Sequence, residues 1–211
     1  MHLNSIKPLA LAVTIIVAGL AQQASAEVYT LHFNTYVTGD MWEGSDIATL
    51  TVSDLGGGDV LFTLDHNATS ESPQFISGIW LNMDPYVLVT RSQEDPLGSF
   101  VGDLELSEDG LTNAGLQFDL YQQFETSNGD GFRLEPGDSV TWVLSGSGLT
   151  AANFFSYATP VGENLENVIA MIHLQGINGE GSAKMAAVPE PATMAVVGLG
   201  LAALLRRRKL R

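Results

Sequence analysis

The stretch Ala48-Thr49-Leu50-Thr51-Val52-Ser53-Asp54-Leu55-Gly56-Gly57-Gly58-Asp59-Val60-Leu61-Phe62-Thr63-Leu64-Asp65-His66 decides the fold class. Apolar side chains stand at every second position, Ala48, Leu50 and Val52, and again at Val60, Phe62 and Leu64. A period of two puts successive side chains on opposite faces of an extended chain, so each half reads as a strand with one face on a core and one in water. Between them Gly56-Gly57-Gly58-Asp59 supplies the residues that adopt turn conformations without steric cost. The same alternation recurs in Tyr29-Leu31-Phe33, Leu104 with Leu106, Leu116-Phe118-Leu120, Val140-Trp142-Leu144 and Val168-Ala170-Ile172-Leu174. Turn formers separate the runs: Asn67, Asp84-Pro85, Asp95-Pro96-Leu97-Gly98, Glu108-Asp109-Gly110, Asn128-Gly129-Asp130-Gly131 and Pro136-Gly137-Asp138. Residues 75–83 are more continuously apolar, with Trp80 on the face opposite Phe75, Ile79 and Leu81, and suit a central strand covered on both sides. A single short helix is expected over 150–155, capped by Thr150. About eight short strands predict an all-β, antiparallel two-sheet sandwich, jelly-roll-like, over residues 27–175. Residues 176–188 lose the pattern and read as a flexible linker.

The chain has 211 residues and no cysteine, so any core is held by packing, with no disulfide framework, thiolate metal site or cysteine nucleophile. Acidic residues outnumber basic ones 24 to 9, a formal charge of −15, which argues against nucleic acid as a partner.

Both ends depart from this pattern. Lys7 precedes an apolar run over 9–20, followed by Ala24-Ser25-Ala26, whose Ala24 and Ala26 give the small-x-small pattern that signal peptidase accepts. Twelve apolar residues reach only about 18 Å as a helix, against roughly 30 Å of hydrocarbon core. Residues 1–26 therefore read as a cleaved signal peptide, handled by the Sec machinery and signal peptidase. At the other end Pro189-Glu190-Pro191 precedes an uncharged apolar stretch, 192–205, and a basic tail, 206–211, containing Arg206, Arg207, Arg208, Lys209 and Arg211. Cations abutting an apolar helix resist translocation. The stretch reads as a short transmembrane helix stopped in the inner membrane, with the preceding domain outside. Residues 27–191 hold all 24 acidic residues against Arg91, Arg133 and Lys184, a net formal charge of −21.

The order Val-Pro-Glu-Pro-Ala, short Gly/Ala/Leu-rich helix and terminal Arg cluster resembles the PEP-CTERM sorting signal of Gram-negative bacteria, over about residues 188–211. The resemblance implies that Pro189, Glu190 and Pro191 form the sorting motif. It also implies an exosortase as partner, transient residence in the inner membrane, and a secreted or cell-surface product associated with exopolysaccharide and biofilm. It implies nothing about the activity of the preceding domain.

Chemistry in that domain is sparse. Gly146-Ser147-Gly148-Leu149-Thr150-Ala151 has the Gly-x-Gly-x-x-Ala spacing of a dinucleotide loop, but nothing nearby supplies the long helix that such a loop aims at a pyrophosphate; it reads as a glycine-rich connection. Asn128, Asp130 and Glu135 are hard oxygen donors near turn glycines and make a weak Ca²⁺ candidate outside the calcium-loop register. His32, His66 and His173 are scattered, and neither His-Glu-x-x-His nor Gly-x-Ser-x-Gly occurs. No catalytic residue is assigned, no cofactor is required, and the chain is expected not to be an enzyme. Trp142 reads as core. Trp42, in a polar stretch, is the candidate for stacking on a sugar ring. The expected function is an exported structural protein of the cell surface or matrix, with a carbohydrate- or calcium-binding module as the alternative.

Overall fold

The computed structural model describes residues 27–40, 46–67, 73–93, 101–127, 133–161, 167–177 and 179–188. Among them the chain is all-β, with two antiparallel sheets and one 3₁₀ segment, Ala151–Phe155. The first sheet runs β1 (Val28–Phe33), β3 (Ala48–Gly56), β4 (Asp59–His66), β9 (Ser139–Ser145) and β6 (Thr90–Gln93). The second runs β10 (Thr159–Pro160), β8 (Leu116–Phe124), β5 (Phe75–Leu81), β11 (Ala170–Ile177), β12 (Gly181–Ala187) and β2 (Thr35–Gly39). The long β7 (Val101–Asn113) also pairs with β8.

The alternation of β3 and β4 lands as read, whereas Leu116 and Phe118 pack in a second cluster apart from Leu120, and Val168 apart from Ala170, Ile172 and Leu174. Ala48, Leu50 and Val52 on β3 lie opposite His66, Leu64 and Phe62 on β4, and all six are buried. Their inward faces meet those of the second sheet in one cluster that takes Phe33, Phe62 and Trp142 from one sheet and Ile79, Ile172 and Met185 from the other. Gly58, at φ +92°, closes the β3–β4 turn where a Cβ would collide with the Gly146 carbonyl, and the Gly146 N–H donates back to the Gly58 carbonyl at 2.9 Å. The dinucleotide-like spacing at 146–151 thus seats a turn, and the five-residue 3₁₀ segment after it offers no helix dipole to a phosphate. The Asn153 side-chain oxygen accepts both the backbone N–H and the hydroxyl of Thr150, so Thr150 does open this segment.

Four expectations are corrected. Residues 176–188 are not a linker: β12 pairs along its length with β11 and continues to β2, and Ala183, Met185 and Ala187 are core. The absence of bulky side chains hid the strand, because small residues and Met185 suffice where neighbouring strands fill the space. The domain accordingly extends to Val188, not to residue 175. Glu108-Asp109-Gly110 is not a turn between strands but part of β7, whose register shifts between Leu106 and Leu111. Asp109 has φ +48° there, and its N–H is held by the Asp119 carboxylate at 2.6 Å. Phe75 does not share a face with Ile79 and Leu81. A register shift opposite Ser77 and Gly78 lets Ile76 join them in the core and turns Phe75 to the other face, where it stays buried under Arg133.

His66 ends β4 fully buried, its Nδ1 2.9 Å from the Leu134 carbonyl and its Nε2 without a partner among the described residues. The contact to a carbonyl requires Nδ1 to carry the proton. Burial pushes the imidazole below its usual value, against smaller upward pulls from the Leu134 carbonyl and Asp138. His173 is lowered by burial and by Lys184. Protons therefore bind the unfolded chain better: stability is full above the unfolded value near ~6.5 and is lost as pH falls from there toward the lower folded value. Urea midpoints measured between pH 7.5 and 5.5 should fall with pH, and the slope should be shallower in His66→Asn. Equal slopes would remove His66 as a cause.

Candidate functional site

Most residues singled out in the sequence lie outside the described residues: Ala24, Ala26, Trp42, Asn128, Asp130, the motif Pro189, Glu190 and Pro191, the helix 192–205, and the cations Arg206, Arg207, Arg208, Lys209 and Arg211. Of the calcium candidates only Glu135 is described; it is exposed, and its N–H donates to the Asp138 carboxylate at 2.9 Å. His32 lies on the surface with Nδ1 3.3 Å from an Asp46 oxygen. Trp142 is fully buried, as its alternation implies. The three described histidines belong to three strands with separate partners.

The feature the sequence did not single out is the outward face of the second sheet. The residues of β5, β8, β11 and β12 that alternate away from the core bring Trp80, Tyr121, His173 and Lys184 to one side. Trp80 and Tyr121 are cross-strand partners, and their rings stack with centroids 4.5 Å apart and planes 24° from parallel. The Tyr121 ring leans over Gly78, where a Cβ would come within 2.5 Å of ring atoms; only glycine leaves room for it. The His173 ring stands 6.2 Å from Trp80, and its Nδ1 lies 3.1 Å from the Ser77 hydroxyl. Burial, with Glu105 nearby, pushes the Tyr121 phenol up, and the His173 imidazole is pushed down, so both rings are uncharged at neutral pH.

Around these rings runs a cleft of about 390 Å³, bordered by Glu105, Thr112, Asn113 and Lys184. His173 also borders an adjoining cleft of about 580 Å³, where Arg133 lies over the Phe75 ring at 4.2 Å and Glu180 and Gln175 complete the rim. Both volumes fall in the range of small-molecule sites, roughly 300–1,000 Å³. The signal for this face was present in the sequence as phase: Trp80 is out of step with Ile79 and Leu81, and Tyr121 with Leu120. Alternation alone does not say whether two outward aromatics on different strands are neighbours.

A third hollow, about 460 Å³, is bordered by Asp84, Glu108, Asp109 and Asp119. Two of its carboxylates serve the fold. Asp119 accepts the Met83 N–H at 2.8 Å and the Asp109 N–H at 2.6 Å, and Asp109 accepts the Thr159 hydroxyl at 3.0 Å. Among the described residues no group of three or more His, Cys, Asp or Glu is arranged to hold a metal ion, and no helix is long and apolar enough to cross a membrane.

The family model described as the PEP-CTERM protein-sorting motif matches residues 187–209. Neither the curated proteins nor the solved structures give a match to this chain. The motif indicates an exosortase-targeted, secreted protein associated with the cell surface.

Proposed function

We propose that this chain is a structural protein of the cell surface or extracellular matrix of a Gram-negative bacterium, exported, processed by an exosortase and associated with exopolysaccharide or biofilm. The carrying observation is the sorting motif at 187–209, which begins on the last residue of β12. On this reading residues 1–26 are removed as a signal peptide through Sec and signal peptidase. The segment 192–205 crosses the inner membrane while 206–211 stays behind, and the domain faces outward until it is cut. The domain acts as a jelly-roll-like sandwich without catalytic function or required cofactor. Its shared two-sheet core and the formal charge of −21 over residues 27–191 suit a soluble body that resists self-association. Of the alternative, a carbohydrate- or calcium-binding module, the aromatic groove favours the carbohydrate half.

The expected outcome of intact-mass analysis on the extracellular product is a chain lacking residues 192–211, whereas a chain deleted from 189 onward should lose its surface association. Recovery of the complete tail in the mature product would defeat the sorting reading.

A further inference from the structure

We propose that the outward groove of the second sheet, from Tyr121 and Trp80 across His173 to Phe75 and Arg133, binds an extended chain of uncharged sugar rings. The inference rests on the proposed function for the ligand's presence outside the cell, and on the groove itself for its chemistry.

Shape comes first. The two clefts adjoin at His173, and Phe75 and Trp80, one in each, lie five residues apart on β5, about 16 Å along a strand. A track of this length, bordered on both sides, suits a polymer segment rather than a compact metabolite. Its floor presents the part-exposed rings of Tyr121 and His173, with Trp80 and Phe75 almost wholly buried at 7% and 4% exposure behind them, and its rim consists of polar groups; a part-exposed ring offers an apolar surface to the C–H face of a pyranose ring. Among the described residues, no hydrogen bond or ion pair engages the side chains of Glu105, Thr112, Asn113 or Lys184, so their donors and acceptors are open to a ligand.

Charge then selects the class of sugar. Between residues 27 and 191 there are only three cationic side chains, and two of them, Arg133 and Lys184, border this track. The third, Arg91, is spent on the Gly102 carbonyl and the Gln122 side chain. Glu105 borders the same cleft as Lys184 and Glu180 the same cleft as Arg133, so the lining is balanced although residues 27–191 carry a net formal charge of −21. A balanced rim suits hydroxyl groups, each of which donates to a carboxylate or accepts from a cation. A polyanion longer than the track would meet the surrounding carboxylates, and screening over about 8 Å does not remove that repulsion at contact.

The test is affinity electrophoresis of the processed protein from the culture medium, in gels containing hydroxyethyl cellulose, galactomannan, dextran or polygalacturonate. Retardation is expected in at least one uncharged gel, little changed by about 0.5 M NaCl, and not in polygalacturonate. Tyr121→Ala should weaken binding about tenfold or more, while Tyr121→Phe keeps it. Because Tyr121 also packs on the sheet, Glu105→Ala, at an exposed position, serves as the second variant; it should weaken binding several-fold with an unchanged melting temperature. No retardation in any uncharged gel, retardation by the polyanion alone, or full binding by folded Tyr121→Ala or Glu105→Ala overturns the proposal. A correctly truncated, surface-associated protein that ignores every glycan would overturn the groove and leave the sorting reading intact; retention of the tail by a protein that does bind would do the reverse.

Discussion

A chain ending at Gln175 is expected not to fold, whereas one ending at Val188 folds cooperatively. The difference is β12. Its removal takes Ala183, Met185 and Ala187 out of the core and leaves the β11 backbone groups that faced it without partners. It also detaches β2, which joins the second sheet only through β12. Ile177, buried at the end of β11, is lost as well. Burying Met185 and Ile177 contributes about 1.5–3 kcal/mol each, before any exposed edge is counted. The sum reaches the lower end, about 5 kcal/mol, of what an entire domain has to spare. Circular dichroism and urea melts of residues 27–175 and 27–188 check this. A cooperative transition in the shorter chain, at a similar midpoint, would mean that β12 is dispensable and that the reading of 176–188 as a linker was the better one. The position of β12 also bears on processing: the sorting match begins at Ala187, the last residue of β12 and itself fully buried, so the match starts on a core position.

The second large effect is expected at Trp142. Its ring lies parallel to Phe62, 5.1 Å away and 9° from coplanar, and meets Phe124 edge-on at 5.7 Å; Phe154 closes on the far partner, Phe62, at 4.8 Å and 87°. All four rings are fully buried. Trp142→Ala therefore opens a cavity that rigid neighbouring strands cannot fill, at a cost of about 3–5 kcal/mol. For a domain of this size that lowers the melting temperature by roughly 6–20 °C. Trp142→Phe should lose less than half as much. It keeps most of the stacking area, and the indole N–H it removes is buried without a hydrogen-bond partner among the described residues. Differential scanning calorimetry of the two variants separates the terms. Equal losses would show that the indole N–H has a partner and that its removal, not the cavity, sets the cost.

Most strands read from the sequence were those whose outward face is largely polar, because there the period of two is clean; β5 was read instead from its continuous apolar run. β3, β4, β9 and β11 are of the first kind. The strands missed were those whose side chains carry little contrast: the small residues of β12, the part-exposed β2, the four-residue β6 and the two-residue β10. Phe75 was assigned to the wrong face because a shift in register reverses the alternation, and no residue type announces one. The candidate site was missed for a related reason. Trp80 and Tyr121 were visible singly as out-of-phase aromatics, and Trp42 drew attention instead because its neighbours are polar.

What the sequence by itself determined is what depends on local periodicity and composition: an all-β domain, its acidic balance, and a terminal motif read as a linear segment. What only the tertiary structure decided is which strands lie side by side. Tyr121, Trp80, His173 and Lys184 are up to 104 residues apart between Trp80 and Lys184, yet share one face. Hydrogen bonding between strands is indifferent to side-chain identity, so only the packing of the whole core selects that order.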